Sequence, residues 1–136
     1  MTQDKLSHML QLQSEFQKNF YDIATLADAD RVRQTKENML ALHRELGEAL
    51  NEMPWKHHRA NSQSYDITKV QEELIDCIKF MMNICLLWGL DADTMYSKFV
   101  EKTRVVQTRY DKEKDRIPTA LDSNSTKMGY NTDLKN

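Results

Sequence analysis

Glu45 and Glu48 stand three residues apart, and so do Glu73 and Asp76. In a helix, positions i and i+3 lie on one face, so the members of each pair point the same way. Glu52 extends the first row by a further turn. If the two helices pack side by side, the four carboxylates converge. Like unit charges about 4 Å apart repel by roughly 4 kcal/mol at an effective dielectric near 20, so something positive must offset them. A hard cation with oxygen ligands is the natural counter-charge. The competing reading is a pair of solvated helix faces that carry ordinary surface acids.

Further along, Lys98, Lys102 and Arg109 recur at i, i+4 and i+11, close to one helical face. By themselves they read as a solvated basic row. Opposite four carboxylates they are what a metal–polyphosphate site requires, with the metal bridging phosphate oxygens and fixed cations neutralising the rest. Other chemistry finds less support. His8, His43, His57 and His58 have no helical ligand spacing, which argues against zinc. No Glu-x-x-His pair suggests a di-iron bundle. There is no Gly-rich phosphate loop and no nucleophile turn. The eight methionines read as core packing rather than a copper site.

The elements that must position these residues are helices. Three glycines and two prolines in 136 residues argue against a β-sandwich. Leu6, Met9, Leu10, Gln13, Phe16, Phe20 and Ile23 give a helical period from Asp4 to about Leu26. A second helix is predicted from about Arg31 to Met53, with Asp30 as a cap and Pro54 as its stop. Residues 54–66 read as a loop carrying Trp55, His57, His58 and Tyr65. A third helix is predicted from a cap at Asp66 or Thr68 to Trp88, with Gly89 ending it. A fourth runs from a cap at Asp91 to about Asp115. The fold class that follows is all-α, one domain over residues 1–116, and a polar tail over 117–136 expected to be mobile unless a partner holds it. The second and third helices are expected to run antiparallel, so that Glu45 and Glu48 face Glu73 and Asp76.

A net charge of −2 marks neither a nucleic-acid binder nor an anionic-membrane binder. No signal peptide or membrane span is expected. Cys77 and Cys85 lie in an apolar segment and read as buried thiols, which fits a cytoplasmic setting. The second half of the third helix is apolar nearly all round. That predicts a homodimer or homotetramer, with Met81, Ile84, Leu87 or Trp88 at the subunit contact.

The run from Glu45 to His57, Glu-Leu-Gly-Glu-Ala-Leu-Asn-Glu-Met-Pro-Trp-Lys-His, resembles the metal motif and following tryptophan–lysine of the dimeric, all-α dUTPases. Those enzymes belong with the MazG-like NTP pyrophosphatases. The run Glu73-Leu-Ile-Asp-Cys-Ile-Lys-Phe80 is similar to the partner metal motif, and the likeness covers most of residues 9–110. The resemblance implies a four-helix bundle of that type and hydrolysis of a nucleoside triphosphate to a monophosphate and pyrophosphate. It also implies magnesium, with manganese as a substitute, held by Glu45, Glu48, Glu73 and Asp76, with Glu48 catalytic. Lys56, Lys102 and Arg109 would bind phosphate, and Gln13, Gln17 and Trp55 the base.

Several positions depart from that pattern. Gln17 stands where the family reads uracil with an asparagine, and Thr103 and Val106 replace asparagines of the C-terminal segment. Lys114 replaces its closing tyrosine, His58 the second aromatic after Trp55, and Lys79 the histidine before Phe80. The metal motifs are kept while the groups that read the base differ. The resemblance therefore leaves open dUTP and another deoxynucleotide, such as dGTP or a modified purine, as substrate. The alternative from a different class is a non-enzymatic helical interaction module, its acids paired with Lys36, Arg44, Lys56 and Lys79.

Overall fold

The computed structural model describes residues 4–56 and 64–116. Residues 57–63, with His57 and His58, and the polar tail at 117–136 lie outside the described residues. Among the described residues there are four α-helices, one short 3-10 turn and no strand, which is the all-α class predicted. The chain divides into two units, residues 1–95 and 96–136.

In the first unit, α1 spans Lys5–Gln17. The Asp4 carboxylate caps it, accepting from the Ser7 backbone N–H and hydroxyl at 3.0 Å each, and these bonds hold its carboxyl below the ordinary value. The helix stops at Gln17 instead of reaching Leu26. Asn19 Nδ2 donates to the Phe16 carbonyl at 2.8 Å, and the Asp22 carboxylate accepts from the Ala24 N–H at 3.0 Å. Both side chains offer the backbone an alternative to the helical ladder. Phe20, which fits the helical period, instead folds edge-on against Phe16 with ring centroids 5.6 Å apart.

The second helix, α2, spans Asp28–Asn51 and starts before the predicted Arg31. Asp30 is not its cap. Asp28 and Asp30 occupy the first turn, where their charge complements the positive end of the helix dipole, and Asp30 pairs with Arg33 at 3.0 Å. The third, α3, spans Ile67–Leu87, with the Asp66 carboxylate accepting from the Thr68 N–H at 2.9 Å. It ends in a Schellman turn: Gly89 N–H donates to the Leu86 carbonyl at 3.1 Å, and Leu90 N–H to the Cys85 carbonyl at 2.9 Å. Gly89 has φ 72°, a conformation that costs a side-chain-bearing residue strain.

α2 and α3 pack as an antiparallel pair. Trp88 meets Thr35, Asn83 meets Asn38, and Asp76 and Glu73 meet Glu45, so one helix descends in number as the other rises. α1 joins α3 through Gln13 and Asn83. Among the described residues, the buried apolar ones are Leu10, Ala49, Cys77, Met82 and Leu87. Leu87 is 0% exposed, so it belongs to this core and not to a subunit contact. Burying such a side chain contributes about 1.5–3 kcal/mol. Met81, by contrast, is 47% exposed. Cys77 and Cys85 are free thiols, Cys77 buried as expected and Cys85 only half-buried.

α4 spans Ala92–Glu113 and passes into a 3-10 turn at Lys114–Arg116. The Asp91 carboxylate accepts from the Thr94 N–H at 2.8 Å at its start, as the sequence predicts. No residue of α4 is buried. Among the described residues, no helix is long and apolar enough to cross a membrane.

Candidate functional site

The antiparallel pair fixes where the carboxylates fall. One oxygen each from Glu45, Glu73 and Asp76 lies within 4.8 Å of the others, and all three side chains are half-buried. Burial pushes the Glu73 carboxyl above its ordinary value, and the charges of Glu48, Glu45, Asp76 and Glu52 push it further. Counter-charge from the described chain is sparse. Asp76 has Lys79 at 4.0 Å, while Glu45 and Glu73 have no ion pair among the described residues. Glu48 lies outside the tight group, and its carboxylate accepts from Arg44 Nε at 2.8 Å. Among the neighbouring carboxylates, its charge still acts most strongly on Glu73. Lys36, a proposed partner of these acids, makes no ion pair among the described residues.

Three converging carboxylate oxygens with so little compensation fit a hard divalent cation in donor type and spacing. Cys77 lies next to this group but does not suit it as a ligand. Burial, and then Glu45, push its thiol up, so it stays protonated and packs as an apolar group.

A cleft of about 830 Å³ opens beside the carboxylates. Glu45, Asp76 and Lys79 line one part of it. Gln13, Gln17, Asn38 and Asn83 contribute amides, and Phe16, Phe20, Tyr21 and Phe80 contribute rings. Gln17 is 6% exposed, so it is part of the wall and not a solvated surface group. The Tyr21 hydroxyl is buried and makes no hydrogen bond of good geometry. Burial pushes its phenol up, and the nearby Asn38 amide partly offsets that.

Trp55 and Lys56 make contacts of their own. Trp55 Nε1 donates to Asn51 Oδ1 at 3.4 Å, and Lys56 Nζ sits 5.4 Å from the centre of the Trp55 ring. Neither lines the cleft. Lys102 and Arg109 are exposed on α4, within the second unit. Asn38 and Asn83 were not selected by motif. The available signal was that Asn83 interrupts an apolar run, since a polar side chain in such a run must find a partner when buried.

The fold and this cleft define a class of all-α protein in which paired carboxylates on antiparallel helices border an amide- and aromatic-lined pocket. A family described as dUTPase matches residues 5–128, most of the chain, and the chain belongs to that family. Members act on a nucleotide, generally use a divalent metal and are usually oligomeric. The match continues past residue 116, where composition alone sets the start of the tail. Neither a curated protein nor a solved structure matches the chain.

Proposed function

We propose that this chain is a metal-dependent nucleoside triphosphate pyrophosphohydrolase that converts a deoxynucleoside triphosphate to its monophosphate and pyrophosphate. The observation that carries the reading is the meeting of Glu45, Glu73 and Asp76 oxygens within 4.8 Å at the edge of an amide-lined cleft. Membership of the dUTPase family supports it.

Glu45, Glu73 and Asp76, with Glu48 beside them, would hold magnesium, or manganese in its place. Bound there, the ion would polarise the phosphate oxygens and make water a better nucleophile. Water attacks a phosphorus of the α–β bridge, the bridging P–O bond breaks, and pyrophosphate and monophosphate separate. Glu48 takes the proton that the water gives up, exchanging its bond to Arg44 for that role. Lys56, Lys102 and Arg109 neutralise the phosphate chain. Gln13 and Gln17 read the base, which also stacks on aromatic surface, with Trp55 as a further contact. A cleft of 830 Å³ lies within the range of small-molecule sites, about 300–1,000 Å³, and has room for a pyrimidine or a purine nucleotide. The active form is a homodimer or homotetramer, since exposed Phe16, Leu40, Ile75 and Met81 leave apolar surface to cover.

The test is a screen of the common NTPs and dNTPs for pyrophosphate release with magnesium and with manganese. Stoichiometric monophosphate and pyrophosphate from at least one deoxynucleotide is the expected result. No release from any of them would overturn the enzyme reading in favour of a helical interaction module.

A further inference from the structure

Three side-chain amides cross the helices in a single line. Asn38 Nδ2 donates to the Gln34 backbone carbonyl at 2.8 Å. Asn83 Nδ2 donates to Asn38 Oδ1 at 2.8 Å, and Gln13 Nε2 donates to Asn83 Oδ1 at 2.7 Å. The order is dictated from one end. A carbonyl oxygen only accepts, so Asn38 must turn its NH2 to Gln34 and its oxygen to Asn83. Asn83 must then donate to Asn38 and turn its own oxygen to Gln13, which must donate in turn. Reversing any one amide sets oxygen against oxygen or N–H against N–H. Asn38 and Asn83 are 8% and 3% exposed, so water is poorly placed to repair the mismatch. The line ends at the cleft, where Gln13 has its Oε1 and one amide proton uncommitted by these bonds.

We propose that Asn38 and Asn83 are positioning residues that lock which way round the Gln13 amide meets a nucleobase, and so set the donor–acceptor order of the base edge that the cleft accepts. The proposal rests on the nucleotide reading above and adds two residues of the cleft wall that act through Gln13. A free glutamine presents its amide either way round and matches base edges of either order. A locked one is matched by one order and opposed by the other, and a buried mismatch of that kind is what gives a site strong discrimination.

Two substitutions at one position separate direction from packing. Asn38→Leu removes the anchor and frees Asn83 and Gln13 to turn. Asn38→Asp can only accept from Asn83, so it loses the Gln34 bond but keeps the direction of the line. The readout is calorimetric Kd, with magnesium, for the α,β-imido analogues of dUTP, dCTP, dGTP and dATP. Wild type is expected to spread these four values by about tenfold or more, Asn38→Leu to compress the spread to about threefold, and Asn38→Asp to keep it. The proposal is overturned if Asn38→Leu keeps the wild-type spread, or if Asn38→Asp loses it equally. Should Asn38→Leu fail to fold, Asn83→Leu against Asn83→Asp tests the last link alone, because an aspartate there gives up the bond to Asn38 but still forces Gln13 to donate. If wild type binds none of the analogues, the nucleotide reading fails. The lock is then judged on the Gln13 side-chain amide resonances in nitrogen-edited NMR spectra. Wild type and Asn38→Asp are expected to agree and Asn38→Leu to differ, whereas identical resonances in all three overturn it.

Discussion

Glu45 on α2 and Glu73 on α3 approach with carboxylate oxygens within 4.8 Å, and neither has an ion-pair partner among the described residues. The folded chain therefore holds a repulsion that the unfolded chain does not, and the Glu73 carboxyl, pushed up first by burial, is pushed further by it. Two outcomes follow for thermal unfolding. Metal-free Glu73→Gln should melt above metal-free wild type, because one repelling charge is gone. Magnesium should raise the wild-type Tm, by about 2.7 kcal/mol of added stability at 100 times its Kd, and should have much less effect on the variant. Scanning calorimetry with and without chelator checks both. Equal magnesium shifts in the two proteins would mean that the ion binds elsewhere.

The catalytic assignment separates Glu48 from an ordinary surface acid. Its bond to Arg44 at 2.8 Å is an exposed i, i+4 ion pair, of a kind that contributes little to stability. Glu48→Gln should thus leave the helical signal and Tm nearly unchanged while removing the proton acceptor. Asp76→Asn removes one charge of the metal group. Each variant is expected to lose well over tenfold in kcat/KM, and a tenfold loss is only about 1.4 kcal/mol in barrier. Pyrophosphate release under saturating magnesium measures it, and activity above about a tenth of wild type would make either residue a bystander.

The core gives a prediction that does not depend on function. Leu87 is fully buried where the apolar half of α3 meets its neighbours, so Leu87→Ala should cost about 2–5 kcal/mol by denaturant unfolding without changing the assembly state. Met81 lies on the same helix but on its exposed side. Met81→Glu should leave monomer stability almost intact and shift a dimer or tetramer toward monomer in light scattering. A wild-type protein that is monomeric at micromolar concentration would remove the assembly expectation altogether.

What the sequence made legible follows from how local each signal is. The start of α3 at Asp66, its end at Gly89 and the start of α4 at Asp91 were readable because each depends on one residue capping its own turn. Spacing within each helix put each pair of acids on one face, so an antiparallel packing of the two helices was enough to bring Glu45 to Glu73 and Asp76, though Glu48 stays outside the group. The end of α1 was not. The period through Phe20 and Ile23 is helical, yet the side chains of Asn19 and Asp22 capture backbone groups and turn the chain first. Asp30 looked like a cap because its type suits one, but Arg33 pairs with it inside the helix. Asn38 was hidden for another reason. Which polar residue of α2 meets Asn83 depends on the rotation of one helix against the other, and no residue type encodes that alone.

Base reading by Gln13 and Gln17 gives the last prediction. Both are buried in the cleft wall, but only Gln13 is held by the amide line through Asn83. Gln17 has a longer side chain than the asparagine it replaces, so its hydrogen bonds to a base must fall at a different depth in the cleft. Removing either amide should therefore cost discrimination among deoxynucleotides more than it costs magnesium affinity, because neither belongs to the carboxylate group. The two should differ in kind. Gln13→Ala also leaves Asn83 Oδ1 buried without its donor, which should lower stability by about 1–3 kcal/mol, whereas Gln17→Ala breaks no such line. Measuring kcat/KM for dUTP, dCTP, dGTP and dATP with wild type and both variants gives the ranking, and denaturant unfolding gives the stability difference. If both variants keep the wild-type ranking and ratios, the base is read by other groups, and the cleft wall between α1 and α3 does not contact it.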